Sequence, residues 1–328
     1  MGNRLSHSAI NRYLTCAESY RLHYQKRIRT TEIGSALIFG SAIGRAIEFA
    51  LNPACTDLPN IASAKQMFDY QWQYQEVNGV LTNLEECNDI VYSKYDHDPE
   101  LADSPYESLR VKGHLILDAF DKKFLPLVTK VWSTEEKIEL TNDEGDSSIG
   151  FIDTVISMKG YDVPIILDFK TAARRYEEDS VQKSVQLAQY MHAVGSKYVT
   201  RLAGYAVFLK AIVKNRQKVC TVCSFDGSGS RFKTCANETT EGKRCGGEWI
   251  EKTFPEAEMQ LLIDTIPERF EEFIIDNIAS VNHAIKAEVF VKNVNSCLDA
   301  GWGRPCEFYG YCHKGTMEGL TVVQEKAK

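Results

Sequence analysis

The sequence predicts an α/β (α+β) fold in which helices flank a central mixed β-sheet. Three observations predict it. Residues 131–172 carry three successive runs with an apolar period of two, and a fourth covers 201–213. An amphipathic stretch separates the third run from the fourth, and the segments before residue 130 repeat at helical spacing instead.

In chain order, residues 8–24 read as a helix. Ser6 or Ser8 can cap it, and Ile10, Tyr13, Leu14, Ala17, Tyr20 and Tyr24 recur along it. A second helix is expected over 36–51, with Phe39, Ile43, Ile47, Ala50 and Leu51 on one side and a thin stretch at Gly40, Ser41 and Gly44. Residues 52–108 are acidic, aromatic and mixed, and a long helix is expected over 106–127. Strands follow at 131–140, 148–158 and 165–172, joined by TNDEGDSS and GYDVP turns. A helix over 178–195 carries Gln186 and Tyr190, and a strand covers 201–213. Residues 220–245 are rich in cysteine, 255–288 read as helical, and the tail holds three more cysteines. The expected division is an N-terminal helical region (1–130), a core (131–215), a zinc-ribbon insertion (216–250) and C-terminal helices with a cysteine-rich tail (251–328).

The 328 residues are 44% hydrophobic and 25% charged, an ordinary globular composition. No apolar run is long enough to span a membrane, and MGNRLSHSAINRY lacks a signal core, so a cytoplasmic protein is expected. The net charge of −7 argues against a basic coat over the whole surface. Two segments are locally basic. One, 197–219, holds Lys197, Arg201, Lys210, Lys214, Arg216 and Lys218 without an acidic residue. The other, 21–29, holds Arg21, Lys26, Arg27 and Arg29 among His23 and Tyr24. Each alone fits a solvated face; together they read as a rim for DNA phosphates. The expected DNA-contacting set is Arg21, Lys26, Arg27, Arg174, Arg175, Lys210, Lys214 and Arg216.

The third strand, IILDFKTA, ends on two opposite charges. Alternation puts Asp168 and Lys170 on one face and Phe169 on the other. Asp153, in GFIDTV one strand earlier, comes beside Asp168 if the two strands form a hairpin. Neighbouring carboxylates repel unless a cation or proton lies between them. An oxygen site with open positions suits Mg²⁺ or Mn²⁺, and a metal, a water and a nearby amine are what phosphodiester hydrolysis requires. Glu136 shares a face with Ile138 and Leu140 and is a further candidate ligand; the alternative is a strand-end glutamate in solvent.

The order GFID, LDFKTA and QLAQY (Gln186–Tyr190) resembles the PD-(D/E)xK nuclease superfamily, in its branch of RecB-type and CRISPR-associated adaptation nucleases with related phage proteins. LSHSAINRYLTCAESYRLHY is similar to that branch's first helix and FGSAIGRAIEFAL to its second. The resemblance runs discontinuously from residue 5 to 312. It implies a restriction-endonuclease-like core in which Asp153 and Asp168 bind metal with the Phe169 carbonyl. By the same resemblance Lys170 is the catalytic lysine, and Gln186 and Tyr190 position it or the scissile strand. Relatives place a metal-binding histidine four residues after the second helix's glycine; counted from Gly40, that position is Gly44. Glu48, Glu136 or a water would then substitute.

Cys220-x2-Cys223-x11-Cys235-x9-Cys245 reads as the two knuckles of a Zn²⁺ ribbon. The tail has Cys297-x8-Cys306-x5-Cys312. By resemblance these join Cys16 around a [4Fe–4S] cluster, a second zinc or free thiols being the alternatives. Gly303 stands where relatives have a further tail cysteine, and Cys55 and Cys87 read as ordinary thiols. The expected function is a Mg²⁺- or Mn²⁺-dependent deoxyribonuclease, an exonuclease on single strands or DNA ends in repair, recombination or replication. A helicase or recombination protein is an expected partner. The alternatives are a catalytically weak or inactive DNA-binding subunit and a zinc-ribbon interaction module.

Overall fold

Serines cap three of the helices that frame the sheet. β1 (Arg4–Ser6) runs straight into α1 (His7–Thr15) because the Ser6 hydroxyl accepts from the Ala9 amide. The expected single helix over 8–24 is interrupted. Cys16 is extended, and the chain resumes as α2 (Ala17–Tyr20) and a widened turn to Gln25. Then come β2 (Ile28–Thr30), β3 (Ile33–Gly34), α3 (Ser35–Leu51) and α4 (Ile61–Gln73). The hairpin β4 (Tyr74–Val77) and β5 (Val80–Asn83) and then β6 (Ile90–Val91) lead to α5 (Pro105–Ala119). Pro105 opens α5, and Ser104 caps it by accepting from the Glu107 amide.

The long elements follow. These are β7 (Val128–Thr141), β8 (Ser147–Met158), β9 (Ile165–Ala172), α6 (Val185–Tyr198), β10 (Leu202–Cys220), β11 (Trp249–Thr265) and α7 (Glu268–Lys286). The chain closes with α8 (Val294–Leu298), α9 (Tyr309–Lys314) and β12 (Leu320–Val322), which pairs with β2. This computed structural model describes residues 4–52, 61–141, 147–238, 242–298 and 305–323. Cys55, Gly303, most of the TNDEGDSS turn and residues 239–241 of the second cysteine knuckle lie outside them.

Six strands form one mixed sheet, in the order β1-β8-β9-β10-β11, with β7 on β8. β9 and β10 are parallel, from Ala203↔Ile166 to Leu209↔Ala172, and a parallel pair needs a long crossover, which α6 supplies. β7 occupies the whole of one edge of β8. The other edge is shared: β1 pairs with Ser147–Ile149 and β9 with Thr154–Ile156. Among the described residues, none forms a strand beside 150–153 on that edge, and the opening sits in the middle of the sheet.

Each face of the sheet carries its own apolar core. α3, α4, α5 and the wide helical turn that follows α5 (Phe120–Phe124) cover one face with Phe39, Phe68, Trp72, Phe120 and Phe124; α1, α6 and α7 cover the other with Ile10, Met191 and Ile278. The fold is the mixed sheet flanked by helices that the sequence predicts.

One stretch differs. Residues 255–265 pair with β10 as part of β11, and only 268–286 are helical. FPEAEMQLLIDT is rich in helix formers, but it lies beside a sheet edge that offers it eleven residues of β10 as partners, and pairing overrides local propensity.

Candidate active site

The opening beside β8 is the floor of a cleft of about 1000 Å³, walled by α1, α3 and α6. Thr154↔Leu167 is the last rung of the β8/β9 ladder, so Asp153 and Asp168 face each other where pairing stops. Asp153 Oδ2 accepts from the Phe169 amide at 2.7 Å. Asp168 is 1% exposed; its Oδ1 accepts from Gln186 Nε2 at 2.7 Å. Its Oδ2 lies 2.6 Å from Lys170 Nζ as an ion pair, yet no well-directed hydrogen bond reaches that oxygen.

Gln186, in the first turn of α6, ties the group together. Its Oε1 accepts from Lys170 Nζ at 3.2 Å, and its amide nitrogen donates to Asp168 and to the Tyr190 hydroxyl, both at 2.7 Å. Tyr190, one turn on, donates to the Phe151 carbonyl at 2.6 Å. The i, i+4 spacing on one helix face makes this chain possible. Thus Asp153, Asp168, Lys170, Gln186 and Tyr190 meet in one cleft. Phe169 lines it too, while its ring packs into the Phe120, Phe124 and Phe208 cluster.

Glu136 is a correction. Its carboxylate pairs with Lys197 at 2.6 Å and with the Tyr198 hydroxyl, at the far end of α6 and away from the cleft. Glu135 lines the cleft instead. Thr134 pairs with Thr154 and Glu136 with Ile152, which leaves Glu135 opposite Asp153 on the same side of the strand pair. Its backbone is left-handed, with φ at 47°, a conformation rare for glutamate outside functional or tightly constrained sites. Only the register against Asp153, which the structure supplies, places Glu135; apolar parity with Ile138 pointed to its neighbour. Glu48 pairs with Arg45 at 2.8 Å on α3. Gly44 lines the cleft, and a Cβ there would meet nothing within 4 Å. His7, at the start of α1, also lines it, hydrogen-bonded to Gln189 and Asn11.

The electrostatics are those of an over-acidic site. Burial and the adjacent Asp168 push the Asp153 carboxyl well above the usual carboxylate range. Burial raises Asp168 as well, against the pull of Lys170. Burial and then Glu48 raise Glu135, with Asp168 adding to the shift. Burial opposes charge on Lys170, but Asp168 and Asp153 hold its pKa above that of an ordinary lysine. Three carboxyls around one lysine leave negative charge uncompensated, and a divalent cation or protons must make up the difference. The poorly satisfied Asp168 oxygen and the all-oxygen donor set fit Mg²⁺ or Mn²⁺.

Residues 4–313 match the profile of the PD-(D/E)XK nuclease superfamily. The chain belongs to this superfamily. None of the curated proteins compared with the chain matches it. Membership supports a metal-dependent nuclease, a phosphodiester hydrolase with DNA as its substrate. No helix among the described residues is long and apolar enough to cross a membrane.

The expected phosphate rim is mostly committed to other partners. Lys210 is the clear correction: it is 6% exposed, and its ammonium lies 2.8 Å from Asp96, which also accepts from Ser35 and the Ser93 amide. An amine buried against its own carboxylate is not available to a phosphate. Lys214 pairs with Asp98 and Glu100, Arg21 with Glu18, and Arg175 with Glu258. Arg174 donates to the Tyr95 hydroxyl, Arg27 is partly buried, and Lys26 and Arg216 are exposed.

The Sγ atoms of Cys220, Cys223, Cys235 and Cys245 all lie within 4.8 Å of one another. Cys220–Cys245 and Cys223–Cys235 are 3.6 and 3.7 Å apart. A tetrahedron with Zn–S bonds of about 2.3 Å has an edge of about 3.8 Å. The geometry therefore fits a single metal ion such as zinc. Cys16, Cys297, Cys306 and Cys312 line a separate small cavity with Lys292 and Phe308.

Proposed function

We propose that the protein is a DNA nuclease dependent on Mg²⁺ or Mn²⁺, an exonuclease on single-stranded DNA or DNA ends that leaves 5′-phosphates. The observation that carries this reading is the joining of Asp153, Asp168, Lys170 and Gln186 into one network on the floor of an open cleft. Asp153, Asp168 and Glu135, with the Phe169 carbonyl, would hold the ion. When bound it supplies Lewis acidity at the phosphate and lowers the pKa of a water. Asp168 and Gln186 hold Lys170 so that its ammonium faces the reacting phosphate and orients the attacking water. Tyr190 fixes Gln186 and does not touch the substrate.

Labelled single- and double-stranded DNA incubated with Mg²⁺ or Mn²⁺ tests the reading, with Asp168→Ala as control. Degradation by the wild type alone supports it; equal degradation by both sinks it. Open space at Gly44 favours a second reading, a DNA-binding subunit with little turnover, and that reading predicts binding without degradation.

At the tail we propose a [4Fe–4S] cluster on Cys16, Cys297, Cys306 and Cys312. Their shared cavity supports it. Among the described residues their sulfurs are not gathered as tightly as the ribbon's, and a cluster holds its thiolates farther apart than one zinc does. Brown protein after anaerobic purification, colourless in Cys306→Ser, is the expected result; a colourless wild type with a second equivalent of zinc would replace iron with zinc. Residues 216–250 then form an inserted zinc ribbon, and residues 251–328 return to the N-terminal helix. A cytoplasmic role in repair, recombination or replication, in a phage-type setting with a helicase or recombination protein, fits this chemistry.

A further inference from the structure

β10 and β11 leave the sheet as a two-stranded arm. β10 pairs with β9 only as far as Leu209, whereas its pairing with β11 continues to Cys220. Val207 lies beside Lys170. From there to Cys220 the partner strand runs eleven residues, Gln260 to Trp249, about 36 Å of strand.

At the end of the arm, Phe225, Phe232 and Trp249 line an open cavity of about 450 Å³ with Asn237 and Glu238. Phe225 and Phe232 are 48% and 56% exposed. Trp249 is a fixed wall: its ring packs on Gly227, where a Cβ would come within 2.3 Å of it, and its indole N–H donates to the Phe232 carbonyl. Cations flank the rings. Arg244 lies 5.6 Å from the centre of Phe232 and Lys218 lies 5.3 Å from the centre of Trp249. A four-cysteine metal site requires none of these rings, and exposing them opposes folding. Residues 216–250 carry six Lys and Arg against four Asp and Glu, while the whole chain is at −7.

We propose that this face of the ribbon binds unpaired bases of single-stranded DNA, which it holds about 36 Å from the cleft. The proposal rests on the nuclease reading for the identity of the strand. Rings with adjacent cations suit a chain that offers flat bases and phosphates together, and stacking of this kind is indifferent to sequence. A duplex hides its base faces, so it is excluded. The cations held beside the rings disfavour an apolar protein segment as the occupant.

The test uses the full-length, zinc-loaded protein, with Phe225→Ala/Phe232→Ala compared against wild type. Without added magnesium, fluorescence anisotropy of a dT strand of ~30 nucleotides should show affinity reduced at least about tenfold, and duplex affinity unchanged. A strand of ~4 nucleotides is too short to reach from arm to cleft even when fully extended. With Mg²⁺ or Mn²⁺, KM for the ~30-nucleotide strand should therefore rise while KM for one of ~4 nucleotides stays the same. Phe232→Tyr keeps a ring and should keep the affinity, and zinc content should be one per chain in every variant. Unchanged dT affinity in the double variant, an equal loss on duplex, or a Phe232→Tyr loss as large as that of alanine would each overturn the proposal. Cleavage by a wild type whose dT affinity the double variant matches would leave the nuclease reading standing without this one. The reverse pattern, the affinity difference without any cleavage, would keep the ribbon site and sink the nuclease.

Discussion

The cleft and the ribbon both gather metal-ligating side chains, but they are built in opposite ways. Asp153 and Asp168 sit on strands packed between two apolar cores, and Gln186 and Tyr190 come from a helix that belongs to one of them. The scaffold exists without an ion. The ribbon has little apolar interior: Val222, Phe225 and Phe232 are exposed, and the four thiols lie where a core would be. In one region the fold forces charges together, and in the other the proposed metal would stand in for the fold.

That contrast can be broken by substitution. The largest effect is expected for Lys170→Met, a loss of about 10³-fold in cleavage rate with only a modest fall in the thermal midpoint, because the buried Asp168 takes up a proton once its ammonium partner is gone and the two apolar cores still hold the strands. A collapse of the midpoint would show that the cleft depends on its ions as the ribbon does. Next is Cys245→Ser. Zinc should be lost and limited proteolysis should cut within 221–248, while cleavage of short strands persists. Resistance to proteolysis would mean that the ribbon folds without metal.

Glu135→Gln should weaken Mn²⁺ binding by calorimetry about tenfold, and Glu136→Gln should leave it unchanged. The reverse order would restore the reading based on parity. The smallest effect is on pH dependence. Asp153 and Asp168 have raised pKa values in the folded state, so above the unfolded carboxylate range the native protein holds more protons than the unfolded chain. The slope of stability with pH is then negative. Metal-free protein should lose stability as pH rises from the ordinary aspartate range through the raised values, and added Mn²⁺ should stabilise it more at the alkaline end. Denaturation curves at several pH values check this; a rise in stability over that window would contradict it.

Much of the cleft was legible because strand alternation and helix spacing are local. Asp168 with Lys170 needed only a period of two; Gln186 and Tyr190 came from the family resemblance, and helix spacing then put them on one face. The failures needed information from partners. Glu135 depends on its register with β8, and Lys210 looked like part of a basic run because Asp96, which neutralises it, lies 114 residues away. Residues 255–265 read as helix because β10, which recruits them into the sheet, lies across the cysteine-rich excursion. Asp96 and the other acids that occupy the basic segment are scattered along the chain, so no local charge count reveals them.

Anomalous diffraction from crystals soaked in Mn²⁺ tests the central claim most directly. The account predicts a peak in the cleft, about 2.1 Å from carboxylate oxygens of both Asp153 and Asp168, and its loss in Asp168→Ala. A peak elsewhere in the core, or none under conditions in which the wild type degrades DNA, would contradict it.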